Sequence, residues 1–179
     1  MDEWINEKIR SRIPNSKGLN ALDLGCGEGL NSLGLAKTGI VTTAVDKQAK
    51  MIELVKTLAS KEGVEIFTRI STIQNFQSST QYDIVLFTHV LHFLPRNTQT
   101  KIIKKIIGLV KPGGTLVFAD IEDNYSVLPE VLLLLEEFLT DIELERFTIK
   151  DNPHRGVNYP HQHKVFYLIG VKKAIDYKI

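Results

Sequence analysis

Apolar residues recur at steps of three and four in some stretches of the chain and run unbroken in others, and the two patterns take turns. Trp4, Ile5, Ile9 and Ile13, followed by Pro14, predict an amphipathic helix closed by the proline. "LNALDL" then forms a short apolar strand, and the turn from Gly25 to Gly29 leads into a helix bearing Leu30, Leu33 and Leu35. "IVTTAV" gives a second strand ending at Asp46. Residues 48 to 62 put Met51, Leu54, Val55 and Leu58 on one helical face, and Gly63 stops that helix. "VEIFTRI" is a third strand, and "YDIVLFTHVL" begins as a fourth, apolar enough to be buried on both faces. "TKIIKKIIGLV" sets Ile102, Ile103, Ile106 and Ile107 against Lys101, Lys104 and Lys105, a helix with one solvated face. "KPGG" then turns the chain into the fifth strand, "TLVFADI".

Five alternations of strand and helix predict an α/β fold, a parallel sheet covered by helices on both faces, with ligands at the carboxyl ends of the strands. Beyond residue 126 one more helix, "VLPEVLLLLEEFL", and two strands, "IELERFTI" and "KVFYLIGV", complete the same sheet, with a polar, histidine-bearing loop between the strands.

With 179 residues, 43% of them hydrophobic and 24% charged, the chain suits one globular domain. Its parts are expected to be an N-terminal helix (1–18), the strand–helix alternation that ends in ligand-binding turns (19–121), and a last helix with the final strands (122–179). The 22 basic and 21 acidic residues nearly cancel to a net charge of +1, so no global field favours nucleic acid or an acidic membrane. Cys26 is the only cysteine, which excludes a disulfide framework and makes a reducing, cytoplasmic setting the expectation. "MDEWINEKIRSRIP" lacks the build of a signal peptide, and the longest apolar stretch is short and interrupted by Glu130. A soluble monomer or homodimer acting on a small molecule is expected.

The candidate chemistry starts at "ALDLGCGEG", residues 21–29. Glycines there let backbone N–H groups and a helix N-terminus approach a ligand closely. A dinucleotide fingerprint, G-x-G-x-x-G, would need a third glycine where Leu30 stands, and Glu28 at the mouth of the turn would repel a pyrophosphate. Asp46, nineteen positions after Gly27, is placed to accept hydrogen bonds from both hydroxyls of a ribose. The ligand so described has a ribose and no pyrophosphate. An NAD-type oxidoreductase, against which Leu30 and Glu28 stand, and a catalytically silent binding module both stay open.

"LDLGCGEG", the acid ending strand two, "YDIVLFTHVL" and "VKPGGTL", in this order, resemble the class I S-adenosylmethionine-dependent methyltransferases over residues 19 to about 121. "DLGCGEGLNSLGLA", "VDKQAKMI" and "THVLHFL" are similar to the narrower tellurite-resistance methyltransferase branch. The resemblance implies a Rossmann-like sheet of seven mostly parallel strands with the last antiparallel, and S-adenosylmethionine as cofactor with S-adenosylhomocysteine as product. It implies that Gly25, Cys26 and Gly27 hold the methionine part, with Asp23 close to its amino group. Asp46, with Lys47 beside it, takes the ribose, Thr72 and Ile73 flank the adenine, and Thr88 ends the strand beside the methyl group. Ser71 and Thr72 stand where the family commonly has an acid reaching the adenine amino group. "THVL" departs from the Asn/Asp-Pro-Pro-aromatic tetrad of enzymes that methylate the amino groups of nucleobases or glutamine, which argues against those acceptors.

Methyl transfer is a direct displacement and mainly a matter of positioning; a base is needed only when the nucleophile arrives protonated. His89, after strand four, is a candidate to orient the acceptor or take a proton, or else it lines the turn; for His92 the packing role is expected. The loop "DNPHRGVNYPHQH" holds His154, Arg155, Tyr159, His161 and His163. In the tellurite-resistance branch a His-Arg pair before the last strand acts at the substrate site, and His154 and Arg155 match it. The branch's later arginine has no counterpart, His161 being nearest by position. An arginine among imidazoles suits a small anion such as a chalcogen oxyanion. The alternatives are a solvated loop, or a zinc site from His154, His161 and His163; without cysteine or acid at characteristic spacing no metal is expected. The leucines at 132–135 are expected in the core, and Cys26 as a small residue that fits.

Overall fold

A computed structural model describes residues 2–122, 128–151 and 161–174. The Asp2 carboxylate accepts hydrogen bonds from the amides of Trp4 and Ile5 and so caps α1 (Glu3–Arg12). There follow β1 (Asn20–Leu24), α2 (Leu30–Lys37), β2 (Val41–Asp46), α3 (Ala49–Glu62), β3 (Ile66–Ile70) and β4 (Tyr82–Thr88). A short 3-10 turn at Leu91–Phe93 precedes α4 (Arg96–Leu109), β5 (Val110–Ile121), α5 (Leu128–Phe138), β6 (Leu139–Asp151) and β7 (His161–Lys172).

The seven strands form one sheet in the order β3-β2-β1-β4-β5-β7-β6. The first five are parallel, and β7 runs antiparallel to both β5 and β6. Both the strand count and the reversed last strand match expectation. β1 lies between β2 and β4, so the chain turns outward in both directions from it. The crevice at its carboxyl end is where such sheets bind ligands.

Alternating side chains serve the two faces. Leu22, Leu24, Val85, Phe87, Leu116 and Phe118 meet the isoleucines of α4 and Val131 and Leu135 of α5. Ala21, Ile84, Leu86, Val117 and Ala119 meet Ile5 and Ile9 of α1 and Leu35 of α2. α3 lies beside α2, against β2 and β3. Among the described residues no helix is long and apolar enough to cross a membrane.

Four local expectations are corrected. Of the leucines at 132–135 only Leu135 is fully buried, and Leu133 is 70% exposed. In α3 the buried face is Ile52, Val55 and Ala59, and Leu54 is exposed: the helix keeps Val55 inward, against the glycine turn, but is rotated so that Ile52 and Ala59 join it in place of Leu54. The "KPGG" turn does not precede β5 but bulges from it: partners jump from Val110↔Tyr82 to Thr115↔Ile84. Lys105 is not on a solvated face; its Nζ donates to the carbonyls of Ile73 and Gln74 at 2.9 and 2.8 Å, tying α4 to the segment after β3.

Candidate functional site

The amides of Gly25 and Cys26 both donate to the Val45 carbonyl, at 2.7 and 3.0 Å, which fastens the turn after β1 to the end of β2. Gly25, Gly27 and Gly29 all have positive φ, at 85°, 51° and 80°, but they do different things. A Cβ on Gly25 would lie 2.6 Å from Val90 and one on Gly29 2.5 Å from Val55, so these two let neighbouring segments close onto the turn. A Cβ on Gly27 would meet nothing within 4 Å. The middle of the turn therefore faces open space.

Asp46 stands at that opening. One carboxylate oxygen accepts from the Gly27 amide at 3.1 Å and the other from the Gln48 amide at 2.8 Å, which fixes the group between the turn and the start of α3. Each oxygen keeps lone pairs for a further donor. Asp23, one strand over, is buried at 2% exposure and accepts from the Ser32 hydroxyl at 2.6 Å. Burial pushes its carboxyl up to about 6, against the downward pull of the serine. Burial, with Asp23 and Asp46 nearby, pushes the Cys26 thiol up, so it stays protonated and inert.

The raised Asp23 carboxyl has a testable consequence. The folded state binds the proton more tightly than the unfolded chain, so this residue favours folding fully below about 4 and loses that contribution as pH rises through about 6. Asp23→Asn is expected to gain about 2 kcal/mol of stability relative to wild type as pH is raised from 4.5 to 7.5, the part of the two-unit shift that falls in that window. Paired urea titrations across that range check it; parallel curves for the two proteins would contradict it.

The remaining cofactor candidates stand at or just past the carboxyl ends of β2, β3 and β4. Lys47 is exposed. Thr72 uses its hydroxyl oxygen to accept from the Asn75 amide at 3.2 Å, and Ile73 packs into the core. Thr88 ends β4 and accepts from Asn31 Nδ2 at 3.4 Å.

Past Thr88 the chain takes a sharp step. His89 sits at φ 57°, with its amide on the Ala119 carbonyl at 2.7 Å. Its Nε2 is 3.4 Å from the Tyr167 hydroxyl, which donates to Asp2 at 2.8 Å, and burial lowers the His89 pKa. His92, expected only to pack, has Nδ1 in hydrogen-bond contact with Asp120, a buried carboxylate near the end of β5. Asp120, Tyr167, Asp2 and Asn31 were not singled out from the sequence. Asp120 alone left a signal there, an acid inside the apolar run "TLVFADI", which must find partners if buried.

His154, Arg155 and Tyr159 lie outside the described residues, as does the side chain of His161; His163 is half-buried on β7. Among the described residues no three His, Cys, Asp or Glu side chains gather as metal ligands.

Residues 6–134 match the family model described as tellurite resistance protein TehB. A ubiquinone biosynthesis O-methyltransferase of Rickettsia felis is 36% identical over 119 residues, 66% of this chain and 48% of that protein. The chain thus spans about half the length of the curated relatives it matches. Among solved structures, TehB of Haemophilus influenzae superposes with a TM-score of 0.76 at 22% identity, over 96% of this chain and 62% of that one. The N-methyltransferase NodS of Bradyrhizobium japonicum, in complex with S-adenosylhomocysteine, gives 0.72 at 20%, over 97% of this chain and 88% of that one. The glycine turn, the acid after it and the reversed last strand are thus those of a methyltransferase fold, and the chain belongs to the tellurite resistance protein TehB family.

Proposed function

We propose that this chain transfers the methyl group of S-adenosylmethionine to a small acceptor that is oxyanionic at or near its reacting atom, such as a chalcogen oxyanion or the oxyanion of a small organic molecule. The observation that carries the cofactor is the Asp46 carboxylate, fixed by the Gly27 and Gln48 amides beside a turn whose middle glycine opens to free space. A ligand can lie against that backbone where a side chain would otherwise stand. The exposed Glu28 beside it suits a ligand without phosphate.

When bound, the sulfonium cofactor supplies an electrophilic methyl group. The chain's own residues position it. Asp46 accepts from the ribose hydroxyls, the amides around Gly27 line the amino-acid end, and Asp23 lies beneath the turn near the amino group. Thr72 and Ile73 border the adenine, and Thr88 closes the strand beside the reacting end. His154 and Arg155 hold the acceptor through charge-assisted hydrogen bonds. The name of the matching family favours a chalcogen oxyanion, and that of the Rickettsia relative an oxygen nucleophile.

Isothermal titration with S-adenosylhomocysteine is the first test, and binding is expected; NADH titration should give none. Release of S-adenosylhomocysteine with selenite, tellurite and 3,4-dihydroxybenzoate then identifies the acceptor, and any turnover excludes a silent module. His154→Ala and Arg155→Ala are each expected to lower turnover tenfold or more while cofactor affinity stays within about threefold. A collapse of cofactor binding in either variant would remove that pair from the acceptor side.

A further inference from the structure

We propose that His92 takes the proton from a hydroxyl nucleophile, that Asp120 holds it in the tautomer this requires, and that the acceptor is a small phenol or catechol. The proposal rests on the methyltransferase reading above and narrows its acceptor to a hydroxyl that becomes an oxyanion only in the step itself.

Asp120 is a built fixture rather than a chance neighbour. Its side chain is 3% exposed, and it accepts from the amides of Leu91 at 2.6 Å, His92 at 3.3 Å and Ile121 at 2.7 Å, besides meeting His92 Nδ1. Its oxygens serve as acceptors to all three amides. Against such a carboxylate Nδ1 must carry the proton, and Nε2 keeps its lone pair. The His92 side chain is 25% exposed, so the ring reaches the surface.

The place is right for the chemistry. Val90, two residues earlier, packs on Gly25 so closely that a Cβ there would come within 2.6 Å. The 3-10 turn carrying His92 thus follows directly on the residue that packs against the glycine turn assigned to the cofactor. Phe93 stands beside it, ring centroid 3.9 Å from that of His92, and is 74% exposed. An aromatic side chain this open, next to a base and outside the core, offers a face for an aromatic ring.

His89 is differently placed. Its Nε2 faces the Tyr167 hydroxyl, and its neighbours are Tyr167 from β7 and Asp2 from the cap of α1. The ionisable groups facing His92 among the described residues are Asp120 from β5 and His89 from the end of β4.

In the step itself, the O–H bond breaks and its proton passes to Nε2, giving an imidazolium beside the Asp120 carboxylate. The freed oxygen pair forms the bond to the methyl carbon as the carbon–sulfur bond breaks, that pair remaining on sulfur. The imidazolium then returns its proton to solvent. The sum is an aryl methyl ether, S-adenosylhomocysteine and one proton, with no other reactant.

The test compares wild type, His92→Gln and Asp120→Asn with 3,4-dihydroxybenzoate from pH 6 to 10. At pH 7 both variants are expected to lose about 100-fold in kcat, the usual scale for a general base. The deficit should shrink about tenfold per pH unit, as ionisation of the phenol in solution replaces the base. S-adenosylhomocysteine affinity, which reports the fold and the cofactor site, should stay within about twofold. A deficit equal at every pH, or none, overturns the role. Independently of turnover, nitrogen NMR of the free protein at pH 8 should show His92 protonated on Nδ1; protonation on Nε2 overturns it. Methylation of selenite but of no phenol by wild type would reject the acceptor class and leave the methyltransferase reading standing. Failure to bind S-adenosylhomocysteine would instead reject that reading.

Discussion

Replacing Asp46 by alanine is expected to weaken S-adenosylhomocysteine binding about 100-fold. The carboxylate offers charged acceptors to two ribose hydroxyls, and hydrogen bonds to a charged group are worth about 1.5–3 kcal/mol each after water is repaid. Losing roughly 3 kcal/mol of that total corresponds to about two orders of magnitude in affinity. The same change deprives the Gly27 amide of its acceptor at 3.1 Å and loosens the turn itself. Asp46→Asn keeps one acceptor oxygen and should lose about tenfold. Because Asp46 is only half-buried, neither variant should shift the melting temperature by more than a few degrees. Calorimetric titration decides the matter: unchanged affinity in Asp46→Ala would remove the ribose assignment and with it the identification of the pocket.

The largest expected effect on stability comes from the third glycine of the same turn. Gly29→Ala places a Cβ 2.5 Å from Val55 Cγ2 at a residue whose φ is 80°. The left-handed backbone costs about 1–2 kcal/mol once a side chain is present, and overfilling a packed contact costs about 1–3 kcal/mol more. A loss of about 2–5 kcal/mol in urea denaturation follows, a large share of the stability of a domain this size. Adding Val55→Ala should recover the steric part and leave the backbone part, so that the two substitutions are not additive. Gly27→Ala provides the contrast. It has open space and φ 51°, so it should cost only about 1 kcal/mol in stability while impairing cofactor binding. Wild-type stability in Gly29→Ala would show that α3 does not rest on the turn as described.

These glycines also show what the sequence makes legible. A glycine one place early is enough to set the turn apart from a dinucleotide cradle, and strand–helix alternation is enough to place its mouth. Both are local signals. The rotation of α3 is not legible because Ile52 and Leu54, on either side of the shared Val55, are equally apolar, and only packing shows that Ile52 and Ala59 turn inward and Leu54 outward. The pairing of His92 with Asp120 spans 28 positions and depends on the register that sets Thr88 beside Ala119. Asp2 and Tyr167 are 165 positions apart, and nothing in the apolar periodicity of either segment foretells their contact. The His154–Arg155 pair rests on resemblance alone, since periodicity does not speak of a polar loop.

The place of β7 in the sheet bears on how the molecule is made. Among the described residues it is the last strand along the chain, yet it lies between β5 and β6, and β6 pairs with no other described strand. On a ribosome β6 emerges with its ladder partner still unsynthesised, and β5 waits with one edge unpaired. Closing these pairs links residues far apart in the chain, the slowest kind of contact to form. The nascent chain must therefore carry two open strand edges until residues 161–172 arrive, which makes this half of the sheet the part most in need of protection during synthesis.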